Sequence, residues 1–272
     1  MFNLWLLLRD HKIALVTGAS SGIGAELAKV FAKRGGKHLV AVARNKEGLT
    51  ELKAEIEDSW DCLVHILVQD LAVEGAAQKI FEAYNKLALG SLNCLINNAG
   101  FGSLGYFIDQ DLQKHKSMVQ VNMIALTELT YLFLPQMKQN RMGRILNMSS
   151  TAALVPGPMQ AVYFASKAFI SSFSNALAEE LRGTGVTVTT SMPPPTESNF
   201  AKIAKLEKSL LFKKTASAQR VAQSSFKAMM KGKINALPAV SFGQKIILGT
   251  IPFSPKLIIL KVVRKLHQVS PR

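Results

Sequence analysis

With 272 residues, 48% hydrophobic and 19% charged, the chain can bury the core of one large α/β domain and is too apolar to be disordered. Two cysteines, Cys62 and Cys94, each in an apolar stretch, exclude a disulfide scaffold and a cysteine-rich zinc site, and no metal is expected. The net charge of +15 sits almost wholly at one end: residues 1–200 carry 18 Lys and Arg against 17 Asp and Glu, whereas residues 201–272 carry 15 against the single acid Glu207.

The run Phe2 to Leu8, FNLWLLL, is too short to span a bilayer and lacks the basic lead and small-residue cleavage site of a signal peptide. From 13 to 191, short apolar runs alternate with amphipathic stretches. Strands are predicted at 13–17, 38–43, 62–68, 92–96, 143–149 and 185–191, and helices near 22–34, 46–58, 73–88, 109–138 and 159–182. The strands are apolar on both faces, as in a parallel sheet covered by helices on each side. The implied fold is α/β, a single-domain doubly wound parallel sheet of the Rossmann type with right-handed crossovers.

Met192-Pro193-Pro194-Pro195-Thr196 cannot lie inside a sheet, because three prolines remove three donors. It reads as a stiff loop at the carboxyl end of the sixth strand. Helical patterns follow near 197–212 and 217–231. The main domain is expected over 1–233, and a basic C-terminal helical extension over 234–272. Within that extension, Lys256–Gln268 places Ile258, Ile259, Val262, Val263 and Leu266 on one arc, with Lys261, Arg264 and Lys265 opposite. Such a helix suits an anionic membrane surface through 245–272; it equally suits packing on the domain or on a partner subunit. Leu248, Ile251 and Phe253, just before it, are placed to line a substrate mouth. No recognition motif or aromatic platform accompanies the lysines, so no nucleic acid is expected.

Strand 13–17 runs straight into Thr17-Gly18-Ala19-Ser20-Ser21-Gly22-Ile23-Gly24, where a helical pattern begins. A strand, a glycine-rich turn and a helix N-terminus form a pyrophosphate cradle. Its G-x-x-x-G-x-G spacing resembles the fingerprint of the short-chain dehydrogenase/reductase family. Further segments match that family in order: Asn97-Asn98-Ala99-Gly100, Asn122, Ser150 and Tyr163-Phe164-Ala165-Ser166-Lys167. The resemblance covers about residues 12–200. The tail bears a less specific likeness to a branch holding long-chain 3-ketoacyl and mycolate-type reductases.

The resemblance implies a catalytic set of Asn122, Ser150, Tyr163 and Lys167. Tyr163 would exchange the proton, with Lys167 one helical turn away lowering its pKa and holding the nicotinamide ribose. Ser150 would orient the substrate oxygen. Asn122 would hold a water linking Lys167 to solvent. Cofactor contacts are implied for Gly18, Ser20, Ser21, Gly22, Ile23 and Gly24, and for Asp70 with Leu71. They are also implied for Asn98, Ala99 and Gly100, for Tyr163 and Lys167, and for Pro193, Thr196 and Ser198. Asp70 is also a candidate helix N-cap. Pro194 stands where the family has glycine.

The second strand ends in Ala43-Arg44, with no acid to take a ribose 2′-OH and a guanidinium to take a 2′-phosphate. NADP(H) is therefore preferred, with NAD(H) the second candidate because Ser21 leaves the glycine loop without a cation. The function expected is NADPH-dependent reduction of a ketone on an apolar, acyl-chain or other lipid substrate. A second reading is oxidation of a secondary alcohol such as a steroid or retinoid. A third, of another class, is a weakly catalytic dinucleotide-binding sensor or scaffold. The small-molecule substrate is expected to be met by a cytoplasmic homodimer or homotetramer, peripheral on a membrane.

Overall fold

The computed structural model describes residues 12–197, 200–204, 206, 209–212, 215–251 and 254–267. Seven parallel strands form one sheet in the order β3-β2-β1-β4-β5-β6-β7. They are β1 Ile13–Thr17, β2 His38–Ala43, β3 Leu63–Val68, β4 Cys94–Asn97, β5 Gly143–Met148, β6 Val186–Ser191 and β7 Asn235–Ala236. The order reverses between β1 and β4, where Val16 pairs with Ala41 on one side and Ile96 on the other. Ligands of open α/β sheets bind at that reversal, beyond the carboxyl ends of the strands.

Helices α1 (Gly22–Lys33), α2 (Lys46–Ser59) and α3 (Ala76–Lys86) alternate with the first strands. Further on come α4 (Leu112–Val119), α5 (Ala125–Gln139), α6 (Ala161–Glu180), α7 (Phe200–Ile203), α8 (Ala218–Met230), α9 (Phe242–Thr250) and α10 (Lys256–His267). One core lies between the sheet and α1, α2 and α8, through Leu27, Phe31, Leu49, Ile56, Val221 and Phe226. The other lies under α3 and α5, where Tyr84 and Phe81 meet Phe133 edge-on. Every residue of β1 is buried, which explains why its sequence is apolar rather than alternating. By length and composition 112–139 could cross a membrane, yet Ala125, Leu129, Phe133 and Met137 are buried in this second core.

The predicted strands all form. The helix expected at 109–138 forms over 112–139, where α4 and α5 run on continuously through a π turn at Gln120–Ile124 that contains Asn122. Asp70 does not cap α3, whose N-cap is Gly75; its Oδ1 accepts from Ala72 N at 2.9 Å, closing a local turn. The helix expected at 197–212 is, among the described residues, only α7 and a short turn at Leu210–Phe212. There Phe200, Ile203, Leu206 and Phe212 line a cavity instead of one face of a helix. Sequence patterning missed β7: it has two residues and pairs with β6, so the sheet extends past residue 233.

Candidate active site

A cavity of about 990 Å³ opens at the carboxyl end of the sheet. That is the upper end of the range for small-molecule sites. Its floor is the turn from β1 into α1. Gly18 has φ +67°, and a Cβ there would lie 2.9 Å from Asn98 Nδ2. A Cβ on Gly24 would overlap the Gly18 carbonyl oxygen. Only glycine allows this close approach. Asn98 fastens the turn to β4, donating from Nδ2 to Thr17 O at 3.0 Å and from its own N–H to Thr17 Oγ1 at 3.0 Å.

Gly18, Ser20, Ser21, Gly22 and Ile23 line the cavity, as do Asp70, Leu71, Asn98, Ala99 and Gly100. Gly24 does not line it and serves the turn's packing. Arg44 stands at the rim, its Nη1 3.7 Å from Asp70 Oδ2; both side chains are solvent-exposed. A loose exposed pair of this kind holds little energy, so the guanidinium is free to take a better anion. The residues present fit a nicotinamide dinucleotide: a cradle with no room for side chains, a helix N-terminus facing it, and a guanidinium at the rim.

The residues of the expected catalytic set meet at the other end. α6 buries Tyr163 and Lys167 on one face, with Lys167 Nζ 5.7 Å from the Tyr163 ring centroid. Lys167 Nζ donates to Met148 O at 2.7 Å, at the end of β5. Ser150 follows β5; its Oγ accepts from Ala152 N at 3.1 Å, and the side chain lies beside Tyr163. The 3.5 Å approach of Ser150 Oγ to Pro193 O is too long to hold the hydroxyl. Asn122 Nδ2 donates to Phe101 O at 3.0 Å and to Ser166 Oγ at 3.0 Å, and its Oδ1 accepts from Phe101 N at 3.1 Å. Asn122 in the π turn thus clamps the backbone of Phe101, in the loop after β4.

Burial pushes the Tyr163 phenol up to about 12, and Ser150 beside it acts in the opposite sense. Burial also brings the Lys167 ammonium down to about 8.

Pro193, Pro194, Pro195 and Thr196 line the cavity. The prolines donate nothing, but each carbonyl accepts: Pro193 from Thr151 N at 3.0 Å, Pro194 from Thr196 Oγ1 at 2.7 Å, and Pro195 from Ala216 N at 2.9 Å. Ser198 lies outside the described residues, as do Phe253 and the run 2–8. The remaining wall is apolar: Phe101, Phe164, Phe200 and Phe212, then Leu248 and Ile251 from α9 and its end. Ile258, Ile259, Val262, Val263 and Leu266 of α10 complete it. The apolar arc of the basic helix therefore faces the site, while Leu257, Ile258 and Val262 remain largely exposed. Sequence reasoning missed Gln160, Phe164 and His267; the adjacency of the first two to Tyr163 was the only signal available.

A family profile described as short chain dehydrogenase matches residues 12–208. The chain belongs to the short-chain dehydrogenase/reductase family, a family of oxidoreductases. It is 36% identical over 197 residues to the very-long-chain 3-oxoacyl-CoA reductase of Anas platyrhynchos, and 35% over 196 residues to that of Homo sapiens. Each match covers 71% of this chain and 62% of the relative, so the matched part spans about three-fifths of these curated relatives. A solved short-chain dehydrogenase from Sphingobium yanoikuyae, in complex with NADPH, superposes with a TM-score of 0.78 at 26% identity, covering 96% of this chain and 98% of that one.

Proposed function

We propose that the chain is an NADPH-dependent reductase of a 3-oxoacyl thioester with a long apolar chain. The observation that carries this is the continuity of one cavity, from Gly18 and Arg44 through Tyr163 to the apolar wall of α10. The relatives named for very-long-chain 3-oxoacyl-CoA reduction and the NADPH complex of the solved neighbour support the same reading. Arg44 favours the phosphorylated dinucleotide, since a guanidinium binds phosphate bidentately.

When bound, the dinucleotide supplies the hydride. Ser150 Oγ orients the ketone oxygen and stabilises the charge that develops on it. Tyr163 Oη is protonated at neutral pH because its pKa is raised to about 12, so it serves as the acid and gives its proton to that oxygen. Lys167, brought down to about 8, is able to return a proton to the phenolate near neutrality. Phe101, Phe164 and Phe200 exclude water from the reacting centre.

We also infer attachment to an anionic membrane surface. Ile246, Ile247, Leu257, Ile258 and Val262 are exposed, and Lys245, Lys256 and Lys261 lie among them. A surface helix pair of this kind combines apolar insertion with attraction to lipid charge.

Fluorescence titration with NADPH and NADH, with Arg44→Asp alongside, tests the cofactor reading. Tight NADPH binding that the variant loses is expected, whereas binding of NADH alone would overturn it. Tyr163→Phe should keep NADPH binding and lower kcat by roughly a hundredfold or more. Retained turnover would remove the assigned proton donor.

A further inference from the structure

One buried polar cluster has no part in the proton path. His267, the last residue of α10, is fully buried. Its Nδ1 lies 2.9 Å from Pro158 O, and its Nε2 lies 2.9 Å from Gln160 Nε2. A carbonyl only accepts, so Nδ1 carries the hydrogen; the bare Nε2 then accepts from the Gln160 amide N–H. The ring is thus neutral, and burial lowers its pKa in the same sense. It also meets the Phe164 ring edge-on, 5.4 Å between centroids. Gln160 Oε1 is buried with no partner, so the amide is oriented through its bond to His267.

The place of this cluster gives it meaning. Gln160 is the N-cap residue of α6, and Tyr163 follows within the first turn. Met159, between the two anchors, has φ +68°, a left-handed conformation that side chains rarely adopt. Its carbonyl accepts from Gly105 N at 2.9 Å. A strained turn is therefore gripped by Gly105 on one side and by His267 on the other. Along the same helix, Leu266 beside His267, Val263 one turn back and Ile259 one turn further line the cavity.

We propose that His267 is a positioning residue that sets chain-length preference. It pins the end of α10 to the start of α6 and so holds the wall of Ile259, Val263 and Leu266 over the Tyr163 site. The substrate side of this inference rests on the thioester reading above.

The test uses the full chain carrying His267→Phe, which keeps the ring against Phe164 and removes both polar bonds. Gln160→Leu removes only the bond between them. Reduction of 3-oxobutanoyl and 3-oxohexadecanoyl thioesters is followed, together with backbone hydrogen exchange over 256–267. For His267→Phe, KM for the long substrate should rise about tenfold or more, the loss expected for buried hydrogen bonds. The rise should be smaller for the short one, and kcat should change less than KM. His267→Asn, which keeps a donor for Pro158 O, should recover part of the loss. Exchange over 256–267 should quicken while 13–191 stays protected. Equal KM changes at both chain lengths, or no recovery by Asn, would overturn the chain-length role. Unchanged exchange would overturn the pin itself. If the unaltered chain reduces neither thioester, the substrate reading fails, and hydrogen exchange still decides whether His267 pins α10.

Discussion

Tyr163 and Lys167 sit one helical turn apart, yet burial moves their proton affinities in opposite directions: the phenol up to about 12 and the ammonium down to about 8. For Lys167 the usual value is 10.5, so between pH 8 and 10.5 the unfolded chain holds more protons than the native one. Stability from this group therefore rises with pH across that window; the ammonium is a liability below it. Tyr163 acts in the reverse sense, its contribution falling as pH climbs from 10 towards 12. Lys167→Met removes the first effect. Thermal melts should show the variant gaining most on the unaltered chain near neutral pH, with the gap shrinking as pH rises to about 10. A gap that widens with pH would contradict the buried-ammonium reading. The four-residue spacing that sets both groups on one face is readable along the sequence. The sign of the phenol's shift is not, because it depends on burial by Phe200 and Phe164, which pack on Tyr163 from other parts of the fold or across the helix.

Among the elements, the loop after β6 shows how proline can serve where glycine is usual. Pro193, Pro194 and Pro195 are acceptors only, and their three carbonyls are all engaged. The ring of Pro194 also narrows the unfolded ensemble. Pro194→Gly should therefore lower unfolding stability in urea by about 0.4–1 kcal/mol, mainly through the denatured state. A stabilised variant would indicate strain at Pro194 instead. The strands and the glycine turn were legible because their causes are local: unbroken apolar runs, and glycines at a strand end. The π turn at Gln120–Ile124 was not, since its partner is the backbone of Phe101 far back in the chain. The stretch 197–212 misled for a related reason. Its apolar residues recur at helical spacing but answer to a cavity wall, not to one helix face. β7 is too short for any periodicity to register.

For the whole molecule, the division of charge in the sequence becomes a division of labour in space. The nearly neutral part builds six of the sheet's strands and the glycine-rich turn, and the basic end adds β7, much of the apolar wall of the cavity and an exposed rim of isoleucines and lysines. Reversing Lys245, Lys256 and Lys261 to glutamate should weaken flotation with anionic vesicles by about a hundredfold or more, at roughly 1 kcal/mol per cation near the surface. Flotation of the unaltered chain should also fall as salt is raised. Equal flotation of the two chains would remove the electrostatic part of the attachment. The helical arc of Ile258 to Leu266 was legible from spacing, but which surface it meets was not, because the cavity it covers is assembled from distant segments. The two buried thiols carry a consequence of another kind. Cys94 lies in the central strand β4 and Cys62 just ahead of the edge strand β3, and burial pushes both up to about 12. Neither is a nucleophile while the sheet is closed. A thiol-selective reagent therefore modifies this protein only as fast as it opens, and the two sites keep time separately: Cys62 for fraying at the sheet's edge, Cys94 for loss of its centre.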